Sequence, residues 1–326
     1  MSSAASLILW ILTILIEFCC PAALTESKND WSCERDPAYG IYQKYRYAYD
    51  TYGYLFLHEE NEPEAESEPE PSYPALAKLQ DYDYLMKQFY SVHASTTADR
   101  ELMNAQEFLQ TDLRLFKDAS KPQILIYHTH SQETYADYGP ERKDANVVTA
   151  GSYLTQLLTE KGWNVIHDES AYDMKGGKLD RSKAYNYALE GITQILQEYP
   201  SVEVILDLHR DGVKETLHLV SEVNGKPTAN LMFFQGMSRT PEGVIEYLPN
   251  PYLKENLAFS FQMQYQAAGK FPGLTRKIYL KGLRYNLHLR PRSALIEAGA
   301  QTNTLSEVLN AMEPLAELLD MVLQGK

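Results

Sequence analysis

The apolar positions of this chain change rhythm along its length. From Ala4 to Leu24 they run almost without a break (LILWILTILIEFCCPAAL), interrupted chiefly by Thr13 and Glu17. A run of that length is the pattern of a signal peptide or a single membrane anchor. Much later, short blocks of consecutive apolar residues begin to alternate with stretches of helical period. QILIYHTH (123–130), WNVIHD (163–168), VEVILDLH (202–209) and SALIEAG (293–299) read as strands, and their continuous apolar cores suit a parallel sheet buried on both faces.

The intervening segments read mostly as helices. Leu102, Ala105, Phe108, Leu109, Leu113 and Phe116 predict a helix over Asp99–Phe116, with Thr97 or Asp99 as its cap. Asn146–Lys161 is amphipathic through Val147, Ala150, Leu154, Leu157 and Leu158, and Gly162 stops it. Ser182 is placed to cap a helix that runs to about Glu198 and closes at Pro200. LHLVSEVNGKPTANLMFFQG (217–236) predicts a hairpin turned at Asn224-Gly225. Pro251 opens a helix through Leu257 and Phe261 to Ala268, and Leu305–Leu323 closes the chain as a helix with Pro314 as a candidate break. This alternation predicts an α/β domain: a mostly parallel central sheet flanked by helices, with a β-hairpin addition.

Between the first apolar run and this domain lies a tyrosine-rich stretch, Tyr39–Tyr54, and then HEENEPEAESEPEPSYP. Glu59–Glu70 holds seven glutamates, half of the formal net charge of -14. Alternating Glu and Pro self-repel and extend, so the segment reads as a spacer. The chain divides accordingly into residues 1–24 (signal peptide or anchor), 25–85 (extracytoplasmic acidic spacer) and 86–326 (the α/β domain). With 44 acidic against 30 basic residues, a nucleic-acid binder is excluded. Cys19 and Cys20 lie in the apolar run, leaving Cys33 alone, so a disulfide framework is excluded too.

Three strands deliver chemistry to one sheet edge, the carboxyl end where open α/β sheets bind ligands. Ile124–Tyr127 ends in His128-Thr129-His130, Ile205–Leu208 in His209-Arg210-Asp211-Gly212, and Ala294–Ile296 in Glu297-Ala298-Gly299. If the first strand stays extended, His128 and His130 share a face. Glu133, Asp137, Glu141 and Asp144 follow on the loop to the next helix. Two imidazoles and a carboxylate suit a hydrolytic zinc site, and a further carboxylate must handle the proton of the attacking water. His130, His209 and one acidic residue would hold the metal, with Glu297 as base. His58, His93, His167, His218 and His288 are read as ordinary core or surface groups.

At these residues the chain resembles a known family. YHTHSQETY, LDLHRDG and LIEAGAQTNTLSE resemble the three signature blocks of the stage II sporulation protein P family, and FPGLTRKIYLKGLRYNLHL resembles the region before its last strand. The similarity runs from about Tyr90 to the C-terminus, and the anchor-plus-spacer layout matches. The blocks are more distantly similar to zinc N-acetylmuramoyl-L-alanine amidases. Their first histidine falls on His130, their second on His209 and their late catalytic glutamate on Glu297. Their ligand glutamate, which precedes the helix after the first strand, falls on Asp144; Glu133 is the competing choice and His128 the third. Leu287 stands after Tyr285-Asn286 where the family usually has glutamine.

The resemblance implies an amidase-like fold and a peptidoglycan hydrolase of the cell wall, active in sporulation. It would be held in the cell membrane by a single N-terminal pass, or secreted if that segment is cleaved, and would act during forespore engulfment. Its expected reaction is zinc-dependent hydrolysis of the amide between N-acetylmuramic acid and L-Ala, with peptide cross-links as further targets. Its expected partners are peptidoglycan, a lytic transglycosylase and membrane proteins of the engulfment machinery. Arg210 would face a substrate carboxylate or the developing oxyanion, or form an ion pair with Asp211 or Asp207. The alternatives are a wall-binding module without activity, and a zinc exopeptidase or deacetylase acting on another exported substrate.

Overall fold

The computed structural model describes residues 73–326. The apolar run, the Tyr39–Tyr54 stretch, the acidic segment Glu59–Glu70 and all three cysteines lie outside those residues. Among the described residues no helix is long and apolar enough to cross a membrane. Short helices at Leu76–Leu79 and Tyr82–Phe89 bury Leu79, Leu85 and Phe89, so the folded unit includes residues the sequence reading gave to the spacer.

A seven-stranded sheet organises the rest. Its strands are, in chain order, β1 Tyr90–Val92, β2 Ile124–Tyr127, β3 Val165–His167, β4 Val204–Asp211, β5 Leu231–Gly236, β6 Ile278–Lys281 and β7 Arg292–Ala300. The main helices, numbered likewise, are α1 Tyr82–Phe89, α2 Ala105–Gln110, α3 Val147–Glu160, α4 Ala184–Glu198, α5 Leu253–Lys270 and α6 Leu305–Gln324. The spatial order is β1-β6-β5-β7-β4-β2-β3. β7, β4, β2 and β3 run parallel; β1, β6 and β5 run parallel to one another, and the two blocks meet antiparallel at β5 and β7. The fold is therefore α/β with a mostly parallel central sheet, as the strand pattern predicts. The hairpin of Val220–Val223 with Lys226–Ala229 turns at Asn224 and Gly225, both at positive φ as such a turn requires.

The two sheet faces are covered unequally. On one face α3 lies against β2, β3 and β4, and α5 lies against β5, β6 and β7, with α6 packed between them. On the other, α4 sets Ala188, Ile192 and Leu196 against Leu125, Tyr127 and Ile205. Double coverage explains why Ile124, Leu125, Ile126 and Tyr127 are all fully buried.

Local signals decide where the helices end. Asn146 caps α3 by accepting from the Thr149 N–H, and Gly162 follows it at φ 90°. Thr304 and Glu307 form a capping box that starts α6. Three expectations are corrected. The Asp99–Phe116 helix shrinks to α2, because Asn104 accepts from Gln106 and Glu107 N–H and starts it late; Phe116 is 95% exposed. Ser182 does not cap α4, since its hydroxyl turns to Asp180 and Lys183 occupies the cap position. Pro314 does not break α6. The surrounding Leu315, Leu318 and Leu319 are fully buried, and that packing outweighs proline's cost of about 3 kcal/mol.

One glycine is dictated by close approach. A Cβ on Gly151 of α3 would lie 2.6 Å from Nε2 of His128 and 2.7 Å from Nε2 of His167, two rings with little room to retreat. Gly151→Ala should lower stability by about 1–3 kcal/mol, seen as a lower Tm, despite alanine's better helix propensity. An unchanged or raised Tm would show that the two rings move freely.

Candidate active site

Strand register builds the site. Glu297 on β7 pairs with His209 on β4, and two residues back Leu295 pairs with Asp207, which pairs in turn with Tyr127 on β2. Cross-strand partners share a face, so Glu297, His209 and Asp207 lie on the same side of the sheet. At β7 the pairing shifts beyond Glu297, where Gly299 takes φ 64°. That irregularity interrupts the ladder just past the glutamate, and pairing resumes at Ala300 opposite Asp211.

β2 stops at Tyr127, and this separates the two histidines expected to share a face. His128 turns inward: Nδ1 lies 2.8 Å from the Leu208 carbonyl oxygen and Nε2 lies 2.9 Å from Nε2 of His167. Nδ1 donates to the carbonyl, so Nε2 accepts and His167 supplies the proton between the rings. Burial and the neighbouring His167 push the His128 pKa down to about 3, and the ring is neutral. His128 is thus a core group, not a third ligand.

His130, Glu133 and His209 converge, each with a ligand atom within 4.8 Å of the others. Oε1 of Glu133 lies 3.3 Å from Nδ1 of His130, and Oε2 lies 3.4 Å from Nδ1 of His209. The chain pins Glu133 from three sides: its N–H donates to the His130 carbonyl, its carbonyl accepts from Val147 at the start of α3, and its carboxylate accepts from the Arg210 N–H. Burial opposes its charge, but hydrogen bonding to His130, His209 and Arg210 outweighs burial and keeps the carboxylate ionised.

Asp144, the preferred carboxylate on sequence grounds, is not in this group. It accepts from Nε of Arg142 at 3.2 Å. Residues 134–146 form an excursion closed by a bridge between Thr134 and Asn146. Glu133 therefore stands next to α3 in space while Asp144 is nearer in sequence. Asp137 accepts from the Leu305 N–H at the start of α6, and Glu141 is exposed.

Arg210 also departs from expectation. Its Nε donates to the Thr134 carbonyl at 2.7 Å and its Nη1 to the Asp211 carbonyl at 3.1 Å. It clamps the loop that carries Glu133 and forms neither expected ion pair; Asp211 pairs instead with Arg276 at 2.7 Å. Asp207 lay outside the sequence-derived site. Fully buried, it accepts from both the N–H and the hydroxyl of Thr129, and its Oδ1 lies 2.7 Å from Nε2 of His209. Its signal was a lone carboxylate inside the apolar run VILDLH.

Unmet polar atoms gather at this edge. Nε2 of His130 and Oε2 of Glu297 are buried without a hydrogen-bond partner, while Nε2 of His209 is met only by the Asp207 carboxylate, leaving its Nδ1 turned to Glu133. Burial works against a proton on His209, but Asp207 and Glu133 outweigh it and raise its pKa well above the usual value. Burial lifts the Glu297 carboxyl to about 8; a charge on His209 opposes this, while Glu133, Asp211 and Asp207 add to it. Two imidazoles and an ionised carboxylate, beside orphaned buried atoms, are a donor set that fits a zinc ion.

Comparison with known proteins gives a family match over residues 45–320, to Stage II sporulation protein P (SpoIIP). No curated protein matches the chain. Among solved structures, the chain is similar to the catalytic domain of CwlV, an N-acetylmuramoyl-L-alanine amidase from Bacillus (Paenibacillus) polymyxa var. colistinus. That likeness has a TM-score of 0.38 and 12% identity, over 62% of this chain and 95% of that one. An N-acetylmuramoyl-L-alanine amidase from Clostridium difficile 630 gives a TM-score of 0.36 and 14% identity, over 62% and 94%. The apo form of the amidase Ami1 from Mycobacterium abscessus gives 0.32 and 15%, over 63% and 97%.

Proposed function

The chain belongs to the Stage II sporulation protein P family, and on that premise we propose that it is a zinc-dependent peptidoglycan hydrolase. The bond cut is the amide between N-acetylmuramic acid and L-Ala of the stem peptide. The observation that carries this reading is the convergence of His130, Glu133 and His209 beside Glu297, with a buried ring nitrogen of His130 and a carboxylate oxygen of Glu297 left unmet. His130, Glu133 and His209 would hold the ion. A bound zinc polarises the scissile carbonyl and brings the pKa of its water to about 7.

The protein's own groups do the rest. Glu297 accepts a proton from the attacking water and delivers it to the departing amine nitrogen as the C–N bond breaks; the water oxygen ends in the new carboxylate of the muramoyl group. Burial raises this carboxyl in the metal-free protein, and a cation at the neighbouring ligands would draw it back toward the ionised form that a proton acceptor requires. Asp207 orients the His209 ring, and the Arg210 backbone N–H fixes the Glu133 carboxylate. The apolar run Leu7–Ile16 and the acidic segment after it support a domain tethered to the membrane and held at a distance from it.

Metal content of the purified protein tests the assignment. Wild type should hold about one zinc per chain, and His130→Ala, His209→Ala and Glu133→Ala should each lose most of it, since a structural or catalytic site needs its full ligand set. Asp144→Ala should keep it. Loss in Asp144→Ala with retention in Glu133→Ala would overturn the ligand set.

A further inference from the structure

We propose that the tyrosine-lined surface beside His130, Glu133 and His209 is a saccharide track, with Tyr185, Tyr285 and Tyr279 as the rings against which the glycan part of the substrate packs. The inference rests on the peptidoglycan reading above and extends it from the scissile bond to the sugars that flank it.

The register defines the track. Tyr279 of β6 pairs with Phe234 of β5, Phe234 with Leu295 of β7, and Leu295 with Asp207 of β4. The row thus lies on the face that carries Glu297 and His209. Helix α5 packs on the opposite face, where Gln235 bonds to Ser260 and Asn256 and where Ile278 and Leu280 are fully buried; Tyr279 and Lys281 are only half-buried. Over this stretch that face is covered by Tyr285 and Leu287 of the loop after β6, packed on Phe234 and Leu295, so the tyrosines form its outer surface.

Aromatic rings then form a continuous path away from the metal ligands. Ring centroids lie 5.7 Å apart for His130 and Tyr185, 5.4 Å for Tyr185 and Tyr285, 4.8 Å for Tyr285 and Phe234, and 5.5 Å for Phe234 and Tyr279. His93 continues it from Tyr279 at 6.1 Å. Tyr185, Tyr279 and Tyr285 are half-buried, each leaving surface open to solvent, while Phe234 forms the floor.

The chain accepts backbone strain to hold this arrangement. Tyr285 and Asn286 both sit at positive φ, 49° and 59°, a conformation that a tyrosine rarely adopts. Asn286 is buried, and its Nδ2 donates to the Tyr185 carbonyl at 2.8 Å, tying the two tyrosine segments together.

The chemistry of the lining selects the occupant. Half-buried rings that meet edge to face, hydroxyl tips, and a cation over the Tyr285 ring (Nζ of Lys281 lies 5.9 Å from the ring centre) match a ligand with apolar ring faces and polar edges. A pyranose has those features. A muramoyl amide placed at the triad brings its own sugar within reach of Tyr185, the ring packed against His130.

The test uses the intact protein carrying Glu297→Gln, so that substrate is not consumed, and titrates it by saturation-transfer NMR. One probe is the peptide-free disaccharide of N-acetylglucosamine and N-acetylmuramic acid; the other is free stem peptide. The disaccharide should bind, and its affinity should fall about tenfold on adding Tyr285→Ala or, independently, Tyr279→Ala, with zinc content unchanged and Tm lowered only by the packing each ring loses. Tyr285→Phe should keep the affinity. Equal disaccharide affinity in all variants, or stem peptide as the ligand lost with these tyrosines, would overturn the track. The disaccharide has no scissile amide, so the two readings fail separately. Tyrosine-dependent binding without amide hydrolysis by wild type would remove the proposed activity alone, and hydrolysis with tyrosine-independent binding would remove the track alone.

Discussion

Glu297→Gln should retain zinc at the wild-type level and lose about 100- to 10,000-fold in turnover on peptidoglycan, the range for removing a positioned proton shuttle. The substitution keeps the shape of a group whose strand register with His209 fixes its place, so binding should change little. A second result separates this role from a merely structural one. In metal-free protein the Glu297 carboxyl titrates at about 8, above its ordinary 4.5, chiefly because it is buried. A folded pKa raised in this way gives stability that is complete below pH 4.5 and is lost as pH rises through 8. Over that window metal-free wild type should weaken relative to Glu297→Gln by a few kcal/mol, at about 1.4 kcal/mol per pH unit. Metal-free Glu297→Gln should therefore melt higher than metal-free wild type at pH 8, and the gap should close near pH 4.5. Zinc should reverse the order by stabilising the ionised glutamate. Equal melting of the two metal-free proteins at pH 8 would mean that the carboxyl is not held in a dry site.

The second large effect falls on a residue outside the set read from the sequence. Asp207 is fully buried and takes both Thr129 donors as well as the approach of His209. Asp207→Ala strands those groups in the core, and breaking a buried charged pair costs about 3–5 kcal/mol. Calorimetry should show a large drop in Tm. Zinc affinity should fall about 10- to 100-fold as well, because His209 loses the group that orients its ring. A variant that melts with wild type would show that the Thr129 and His209 contacts contribute nothing to the fold.

The parts of this site visible in the sequence were those set by strand period. Runs such as ILIY and LDLH show no alternation because helices bury both faces, and residues at the ends of such runs fall at the ligand-binding edge. His130, His209 and Glu297 were found in that way. The period is informative only while the strand lasts. β2 ends at Tyr127, so His128 and His130 part company, and nothing in HTH marks the stop. Glu133 against Asp144 turned on a different hidden quantity. A loop that leaves and returns, closed at Thr134 and Asn146, makes a residue fourteen positions before α3 its spatial neighbour.

Charge partners were similarly out of reach. Arg210 stands next to Asp211 and three residues after Asp207 in the chain yet bonds to carbonyls, because its backbone lies against the loop that holds Glu133. The antiparallel seam between β5 and β7 had only a weak signal too, since LMFFQG was read with the preceding hairpin as one unit. Local caps moved helix ends by a few residues, as Asn104 does for α2 and Lys183 for α4. None of these shifts displaced the sheet edge on which the chemistry depends.

The central claim is tested most directly by incubating the intact zinc-loaded protein with purified peptidoglycan and identifying the released products by mass spectrometry. The account predicts stem peptides with a free L-Ala amino terminus and no attached sugar, and no such release by Glu297→Gln. Release confined to peptides still joined to disaccharide, or equal release by Glu297→Gln, would contradict it.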